Sequence, residues 1–157
     1  MRRLGQSGHK NIVRFYDALE HAEETDVYIV MEKCERDLYD FIQGYKVERK
    51  RLEEETVWKI FIQACLGLQF LHSKGVIHRD VKSKNLLLGT DGNFKHADFG
   101  LVYEMDPSGI QPTTFCGTNV YQSPELFRNA DYDFKTDIWS LGCVIYECCT
   151  YKTPYVY

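Results

Sequence analysis

Residues 78–85 read HRDVKSKN, and residues 98–100 read DFG after a short apolar segment and a turn. The two motifs place an Asp that can accept a proton, and two side chains with oxygen atoms for a metal ion, on neighbouring loops. Asp80 fits the role of the base, and Asn85 and Asp98 fit the roles of metal ligands. This pair of loops is the most specific signal in the chain.

These residue types match what phosphoryl transfer from a magnesium nucleotide requires. Mg²⁺ is a hard cation that prefers oxygen ligands, and Asn85 and Asp98 supply an amide oxygen and a carboxylate. Lys82 would project beside Asp80, where its charge can stabilise the transferred phosphoryl group. Because the reaction depends on positioning and charge neutralisation, these four side chains predict most of the lower part of an active site.

A β-hairpin is predicted between the two motifs. Residues 86–88 and 94–97 flank the sequence GTDG at residues 89–92, which is rich in turn-forming residues. Two short strands joined by this turn would carry the loop of the base at one chain end and the loop of the metal ligand at the other.

Three further segments have patterns of regular structure. Residues 27–31 are β-branched and aromatic, which predicts a strand, and a helix can begin within residues 37–42. Residues 138–149 are apolar on nearly every side, which predicts a helix that is buried all round. Between residues 53 and 72, the apolar positions 58, 61, 62, 65 and 68 keep helical spacing, and three glutamates in the first turn favour the positive end of this predicted helix.

The composition agrees with a soluble enzyme of one domain. The chain has 157 residues, of which 44% are apolar and 27% charged, and no apolar run approaches membrane-spanning length. No secretory signal is visible at the first residue, and the formal net charge of -4 gives no basic patch for nucleic acid. We therefore expect no membrane or nucleic-acid partner, and a cytoplasmic location with the nucleus as the alternative. Reduced thiols are expected because no C-x-x-C pair occurs among the six cysteines, at positions 34, 65, 116, 143, 148 and 149.

The ordered set of motifs resembles the eukaryotic protein kinases over nearly all of the chain. Downstream of the two loops, SPE at residues 123–125 is similar to the Ala-Pro-Glu that closes the activation segment of that family. DIWSLG at residues 137–142 resembles the buried helix that follows it. Upstream, HKNIV at residues 9–13 resembles the segment before the fourth strand, and residues 27–34 resemble the fifth strand and the hinge.

Finer features of the resemblance point to one branch of the family. A Lys at position 82, after the His-Arg-Asp motif, resembles the pattern of the serine/threonine branch. This resemblance implies Ser or Thr hydroxyls of proteins as substrates. Within that branch, residues 28–35 and 151–155 are most similar to the NIMA-related kinases. Ser83 and Lys84 depart from the pattern, since the family usually has Pro followed by a small or polar residue there. The departure lies outside the reacting groups.

The resemblance implies an α+β fold that is part of the protein kinase fold. It would contain a remnant of the small-lobe sheet and most of the helical large lobe without its C-terminal helices. The remnant and hinge would span about residues 1–34, and the partial large lobe about residues 35–157. No glycine-rich loop and no Val-Ala-x-Lys strand precede His9. We therefore expect one incomplete kinase domain, truncated at both ends.

The cofactors that the resemblance implies are ATP and Mg²⁺. Backbone groups of Glu32 and Cys34 would hydrogen-bond adenine, Leu87 would pack under its ring, and Asp98 would bind the metal of the nucleotide. Met31 would be a core residue at the back of the adenine pocket.

Two residues near these groups have competing interpretations. Asp37 either reaches the ribose or caps a helix, and both explain an Asp at that position. His78 is interpreted as a structural histidine that packs against Phe99 rather than as a catalytic group.

Three residues are candidates for regulation: Arg79, Thr114 and Thr118. Thr118 would contact Asp80 in a structural role. A phosphate on Thr114 would add about -1.5 to -2 charges near Arg79, and charge-assisted hydrogen bonds could then order this segment.

Two functions remain open. The first is a magnesium- and ATP-dependent serine/threonine protein kinase, present here as a fragment that we expect to be inactive by itself. The alternative is a non-catalytic kinase-like module that binds a partner. Retention of the four reacting side chains favours the first, and the missing phosphate-binding motifs favour the second. The sequence gives no indication of the oligomeric state or the substrate protein.

Overall fold

The computed structural model describes residues 8–20, 27–104, 119–128 and 130–155. Within those ranges the chain forms short strands and four α-helices, in agreement with the predicted α+β class. The strands are β1 (Phe15–Glu20), β2 (Val27–Met31), β3 (Cys34–Asp37), β4 (Val76–Ile77), β5 (Leu86–Gly89), β6 (Phe94–His96) and β7 (Tyr103–Glu104). The helices are α1 (Leu38–Val47), α2 (Glu54–Ser73), α3 (Pro124–Phe127) and α4 (Lys135–Thr150). None of the helices in these ranges combines the length and the apolar character that crossing a lipid bilayer requires.

Strand pairing produces one three-stranded sheet and two strand pairs. β5 and β6 pair antiparallel, with Leu86 opposite His96, so the predicted hairpin is confirmed. β3 pairs with the other edge of β5, β1 pairs with β2, and β4 pairs with β7, all antiparallel. The predicted strand at residues 27–31 is confirmed as β2. Because β5 begins where β6 ends, the loop of Asp80 and the loop of Asp98 emerge side by side from the hairpin.

Helix α1 begins at a side-chain cap. Asp37 has an extended backbone, and its Oδ1 accepts a hydrogen bond from the backbone nitrogen of Asp40 at 2.7 Å. This bond satisfies one of the amide donors that the first helical turn leaves unpaired. Leu38 and Ile42, one turn apart, are fully buried. The helix cap therefore accounts for Asp37, one of its two sequence interpretations.

Helix α2 confirms the predicted helix, and three of its five predicted apolar positions, Phe61, Cys65 and Leu68, pack against the core. Trp58 and Ile62 of the predicted apolar stripe are exposed, and Leu68 is the one member of that stripe that is buried. The small residues Ala64 and Gly67 lie on the buried face and let β6 approach the helix, which a count of large apolar residues does not detect. The buried positions of α2 are Ile60, Ala64, Gly67, Leu68 and Leu71.

Helix α4 is not buried all round, so that prediction is wrong. Ile138 and Tyr146 are each 48% exposed. The prediction counted apolar side chains, but the buried face of this helix also contains polar side chains whose hydrogen bonds offset the cost of burial. The buried polar residues of α4 are Thr136, Asp137, Ser140 and Glu147.

Residues 11–13 attach the first part of the chain to β6 and α2. Ile12 forms a parallel bridge with His96, whose backbone nitrogen donates to Asn11 O at 2.9 Å and whose carbonyl accepts from Val13 N at 2.9 Å. The side chain of Asn11 donates from Nδ2 to Phe94 O at 2.8 Å. The contact is close because Gly67 has no side chain on that face of α2.

Gly67→Ala should destabilise the fold. A Cβ at this position would lie 2.5 Å from His96 Cδ2 and 2.8 Å from Asn11 O, so the packed segments would have to move. We expect the free energy of unfolding to fall by about 1–3 kcal/mol, as for other overpacked cores. Urea unfolding followed by circular dichroism measures this change.

Gly44→Ala in α1 is the matched control. A Cβ at Gly44 meets nothing within 4 Å, so the substitution should stabilise by about 0.5–1 kcal/mol through helix propensity alone. A stabilising effect of Gly67→Ala similar to that of Gly44→Ala would contradict the close packing of α2 on β6.

Candidate active site

A buried carboxylate at the start of α4 holds the loop that contains Asp80. Asp137 is 1% exposed. Its Oδ2 accepts from His78 N at 2.9 Å, and its Oδ1 accepts from Arg79 N at 2.9 Å. His72 Nε2 lies 2.8 Å from the same Oδ2. These bonds hold Arg79 at a φ of 67°, a left-handed conformation that non-glycine residues rarely adopt without support.

Of the three predicted catalytic residues, Lys82 and Asn85 both contact Asp80. Lys82 Nζ lies 2.6 Å from Asp80 Oδ2, and Asn85 Nδ2 donates to the same oxygen at 2.9 Å. Asn85 Nδ2 also donates to the carbonyl of Asp80 at 2.9 Å. Asp80 is buried, and these donors fix the orientation of its carboxylate. The structure therefore pre-positions a candidate base beside a cation.

The two predicted metal ligands lie on the same cavity. Ala97 N donates to Asn85 O at 2.9 Å, which connects the residue before Asp98 directly to the loop of the base. Asn85 and Asp98 both line the cavity. Asp98 has a φ of 58°, and its Oδ1 accepts from Gly100 N at 3.3 Å.

Mg²⁺ fits these two residues. The amide nitrogen of Asn85 is used by Asp80, so its Oδ1 is the atom of this side chain that can bind a cation. With the carboxylate of Asp98, this gives two oxygen ligands. In the described ranges no three His, Cys, Asp or Glu side chains cluster at metal-binding distance. Two protein ligands suit Mg²⁺, which usually takes its other ligands from water and substrate phosphates.

The cavity beside these ligands has a mainly apolar wall and a volume of about 280 Å³. Leu87 lies on its wall, where the resemblance places the residue under the adenine ring, and its role stays a prediction. Met31 also lines the cavity but is 46% exposed, so its interpretation as a core residue is wrong within the described part of the chain. The other apolar lining residues are Val13, Phe15, Ile29, Ala97 and Phe99.

Glu32 lies in the connection between β2 and β3, directly after the cavity residue Met31, and Cys34 is the first residue of β3. The side chains of both residues contact groups outside the cavity lining. Glu32 binds Arg14 and Lys95, and Cys34 Sγ lies 3.9 Å from Glu32 O. Burial raises the pKa of the Cys34 thiol. That their backbone groups hydrogen-bond adenine stays a prediction.

Arg79 connects the loop of the base to residues that follow Asp98. Its Nη1 donates to Tyr132 OH at 2.9 Å, its Nε donates to the carbonyl of Leu101, and its guanidinium lies 5.6 Å from the ring centroid of Tyr103. The other two regulatory candidates, at positions 114 and 118, lie outside the described residues. The regulatory role of all three stays a prediction.

Two histidines and Phe99 pack behind the site. The His78 ring lies 5.4 Å from the Phe99 ring and 5.5 Å from the His96 ring, measured between centroids. His78 Nε2 donates to Ala97 O at 3.1 Å. The predicted packing of His78 against Phe99 is confirmed, and its structural rather than catalytic role stays a prediction.

Ser83, which departs from the kinase pattern, belongs to a buried polar network. Its Oγ lies 3.1 Å from Tyr121 OH, which donates to Glu147 Oε2 at 2.8 Å. Burial raises the pKa of Tyr121, so its hydroxyl remains a hydrogen-bond donor at neutral pH. Ser83 is thus accommodated by hydrogen bonds that run through Tyr121 to Glu147 of α4.

Comparison with known proteins agrees with this geometry. The profile of the protein kinase domain matches residues 1–156. The chain therefore belongs to the protein kinase domain family.

The relatives found are NIMA-related serine/threonine kinases, as the sequence resemblance predicts. The chain is 41% identical to the mouse serine/threonine-protein kinase Nek3, over 97% of the chain and 29% of that relative. It is 40% identical to human serine/threonine-protein kinase Nek2, over 97% of the chain and 36% of the relative. It is also 40% identical to the probable serine/threonine-protein kinase nek2 of Dictyostelium discoideum, over 94% of the chain and 36% of the relative. The chain thus spans about a third of the length of these relatives.

Asp137 is the functional residue whose role sequence reasoning missed. The motif DIWSLG predicts a buried helix but indicates no role for its Asp, because the partners of this Asp, His78 and Arg79, are more than fifty positions away. A usable signal existed: an Asp in the first turn of an otherwise apolar helix needs hydrogen-bond donors if it is buried. The sequence does not identify those donors.

The protein should become less stable as the pH is lowered, because His96 is buried. Burial lowers the pKa of His96 to about 3, whereas an unfolded His has a pKa of about 6.5. Between these values the unfolded state binds more protons, so the free energy of unfolding decreases as the pH falls below about 6.5. From pH 7 to pH 5 we expect His96 to cost about 2 kcal/mol, measured by urea unfolding at both values.

His96→Gln is the comparison variant because an amide can still donate to Ala64 O, which His96 Nε2 contacts at 2.9 Å. The stability of this variant should change less between pH 7 and pH 5 than that of the natural sequence. An equal loss in both proteins would show that His96 does not carry the pH dependence.

Proposed function

We propose that this chain carries the catalytic part of a magnesium- and ATP-dependent serine/threonine protein kinase. The observation that supports this most strongly is the contact of Lys82 and Asn85 with the carboxylate of Asp80, at 2.6 and 2.9 Å, beside a cavity lined by Asn85 and Asp98. A base, a cation and two metal-compatible oxygens in one place are the groups that phosphoryl transfer needs. Membership of the protein kinase domain family supports the same function.

Each residue has a distinct task in this proposal. Asp80 accepts a hydrogen bond from the Ser or Thr hydroxyl of a protein substrate, orients the oxygen for attack and takes its proton. Lys82, held against Asp80, contributes positive charge where negative charge accumulates during transfer. When bound, ATP with magnesium supplies the phosphoryl group that is transferred. Asn85 and Asp98 would hold the metal, and Leu87 would contact the adenine.

The choice of Ser or Thr hydroxyls rests on Lys82 and on the relatives. The three relatives compared above are named serine/threonine-protein kinases, and the chain resembles them over at least 94% of its length. The substrate protein is not part of this proposal.

A binding module without catalysis is the second candidate function. It is favoured by β2, where all five side chains are exposed, including Val27, Ile29 and Met31. An apolar strand face of this kind can be covered by another part of the protein or by a partner. The retained contacts of Asp80 favour the kinase over this alternative.

Asp80→Asn should abolish most of the phosphoryl transfer while leaving nucleotide binding intact. An amide cannot take the hydroxyl proton, and loss of a general base typically costs roughly 10²–10⁴-fold in rate. The measurement is kcat and KM for ATP in the full-length protein with a Ser/Thr peptide library. Asp98→Asn should instead weaken binding of nucleotide only when magnesium is present.

The exposed Asp131 offers a control of the same residue type, since Asp131→Asn removes a charge outside the cavity. Its kcat should stay within about twofold of the natural value, as expected for a surface substitution. Unchanged transfer by Asp80→Asn would refute the assignment of the base and, with it, the kinase proposal for this site.

A further inference from the structure

Lys95 is a buried cation that the proposed reaction does not use. It lies on β6 and is 5% exposed. Its Nζ lies 2.6 Å from Glu32 Oε1 and 3.0 Å from Asp91 Oδ2, so one ammonium group joins two carboxylates from different parts of the chain. Burial by itself would lower the pKa of Lys95, but the hydrogen bonds to Glu32 and Asp91 outweigh it and raise the pKa.

Glu32 is held by hydrogen bonds to both its side chain and its backbone. Its second carboxylate oxygen, Oε2, accepts from Arg14 N at 3.1 Å, and its backbone nitrogen donates to Arg14 O at 2.8 Å. Glu32 directly follows Met31, which lines the cavity beside the predicted metal ligands. The orientation of Glu32 therefore determines where the chain leaves this wall of the cavity.

The turn of the hairpin is shaped to hold the same cation. Gly89 leaves the space: a Cβ there would lie 2.6 Å from Asp91 Oδ1 and 2.7 Å from Lys95 Cε. Burial would raise the pKa of Asp91, but hydrogen bonds from Asn93 and Lys95 lower it to about 2, so it remains an anion at neutral pH. The two carboxylates and the ammonium group form a cluster in which each charge has a partner.

The ion pair of Lys95 with Glu32 joins two segments that both line the cavity. Ala97 and Asp98, which follow Lys95 on the same segment, line the cavity from one side, and Met31 lines it next to Glu32. The Lys95–Glu32 ion pair therefore bridges the strand that leads to the metal ligand and the connection expected to contact adenine. A buried ion pair often contributes little net stability compared with apolar residues, which favours a geometric role for it.

We propose that Lys95 is a positioning residue for nucleotide binding. Through Glu32 it fixes the connection between β2 and β3 relative to β6, and so sets the spacing between the adenine-binding wall and Asp98. This proposal rests on the proposed function, because the ligand concerned is the nucleotide of that same cavity. Lys95 does not touch the reacting atoms, so its effect should appear in nucleotide affinity and not in the chemical step.

The test measures the Kd of Mg-ADP by calorimetry, and kcat and KM for ATP, in the full-length protein. Lys95→Met keeps the length of the side chain but removes the charge, and Glu32→Gln keeps the shape of the partner. Each should raise the Kd of Mg-ADP and the KM for ATP by about tenfold, since small misplacements of binding groups have large effects, while kcat stays within about twofold. The double variant should bind Mg-ADP as tightly as the single variant with the lower affinity, because both substitutions break the same Lys95–Glu32 pair.

Gln63→Met is the matched control. Gln63 bonds the same hairpin, through Nε2 to Asn93 Oδ1 at 2.8 Å and through Oε1 to Phe94 N at 2.7 Å, but it does not contact Glu32. It should lower the melting temperature without changing the Kd of Mg-ADP. An equal loss of affinity in Gln63→Met would show that Lys95 acts only through the stability of the hairpin.

The remaining outcomes separate the two proposals. An unchanged Kd in both Lys95→Met and Glu32→Gln overturns the positioning role, and additive losses in the double variant do the same. If the natural protein binds Mg-ADP and these variants weaken binding, but no phosphoryl transfer occurs, the positioning role stands and the kinase proposal fails. If the natural protein binds no nucleotide, both proposals are overturned.

Discussion

The carboxylate of Asp137 is the constraint on which the rest of the site depends. It is buried at the start of α4 and accepts hydrogen bonds from the backbone N–H groups of His78 and Arg79. These two donors belong to a loop and not to a sheet or helix. A buried carboxylate is costly unless it is fully hydrogen-bonded, and a loop with unpaired amides is equally costly, so each stabilises the other. The left-handed backbone of Arg79 is tolerated because this anchor holds it.

The hairpin of β5 and β6 brings the candidate metal ligands next to the loop that Asp137 anchors. Asp80 lies just after the anchored residues, and the hairpin places Asp98 beside Asn85 through the bond from Ala97 N to Asn85 O. No single element holds all the reacting groups, which come from a loop, a strand end and a 3₁₀ turn. The arrangement is therefore as rigid as the contacts between these elements, and Lys95 adds a contact of this kind between β6 and Glu32.

Local patterns in the sequence predicted the parts of the fold that depend on local physics. The hairpin followed from apolar runs around GTDG, and the chemistry of helix N-termini gave the cap as one of two interpretations of Asp37. The buried face of α2 was predicted only in part, because Gly67 and Ala64, and not the large apolar side chains, mark the approach of β6. Pairs such as Glu32 with Lys95 lie 63 positions apart, and no local pattern indicates which long-range partner a charge will find.

Amide hydrogen exchange at His78 and Arg79, compared between the natural full-length protein and Asp137→Ala, tests the central claim most directly. If Asp137 anchors the loop, exchange at both amides should accelerate by about tenfold or more in the variant, while the amides of the β5–β6 hairpin keep most of their protection. Phosphoryl transfer should be lost in the same protein. Unchanged protection of His78 and Arg79, or persistent transfer, would contradict the claim that this carboxylate organises the site.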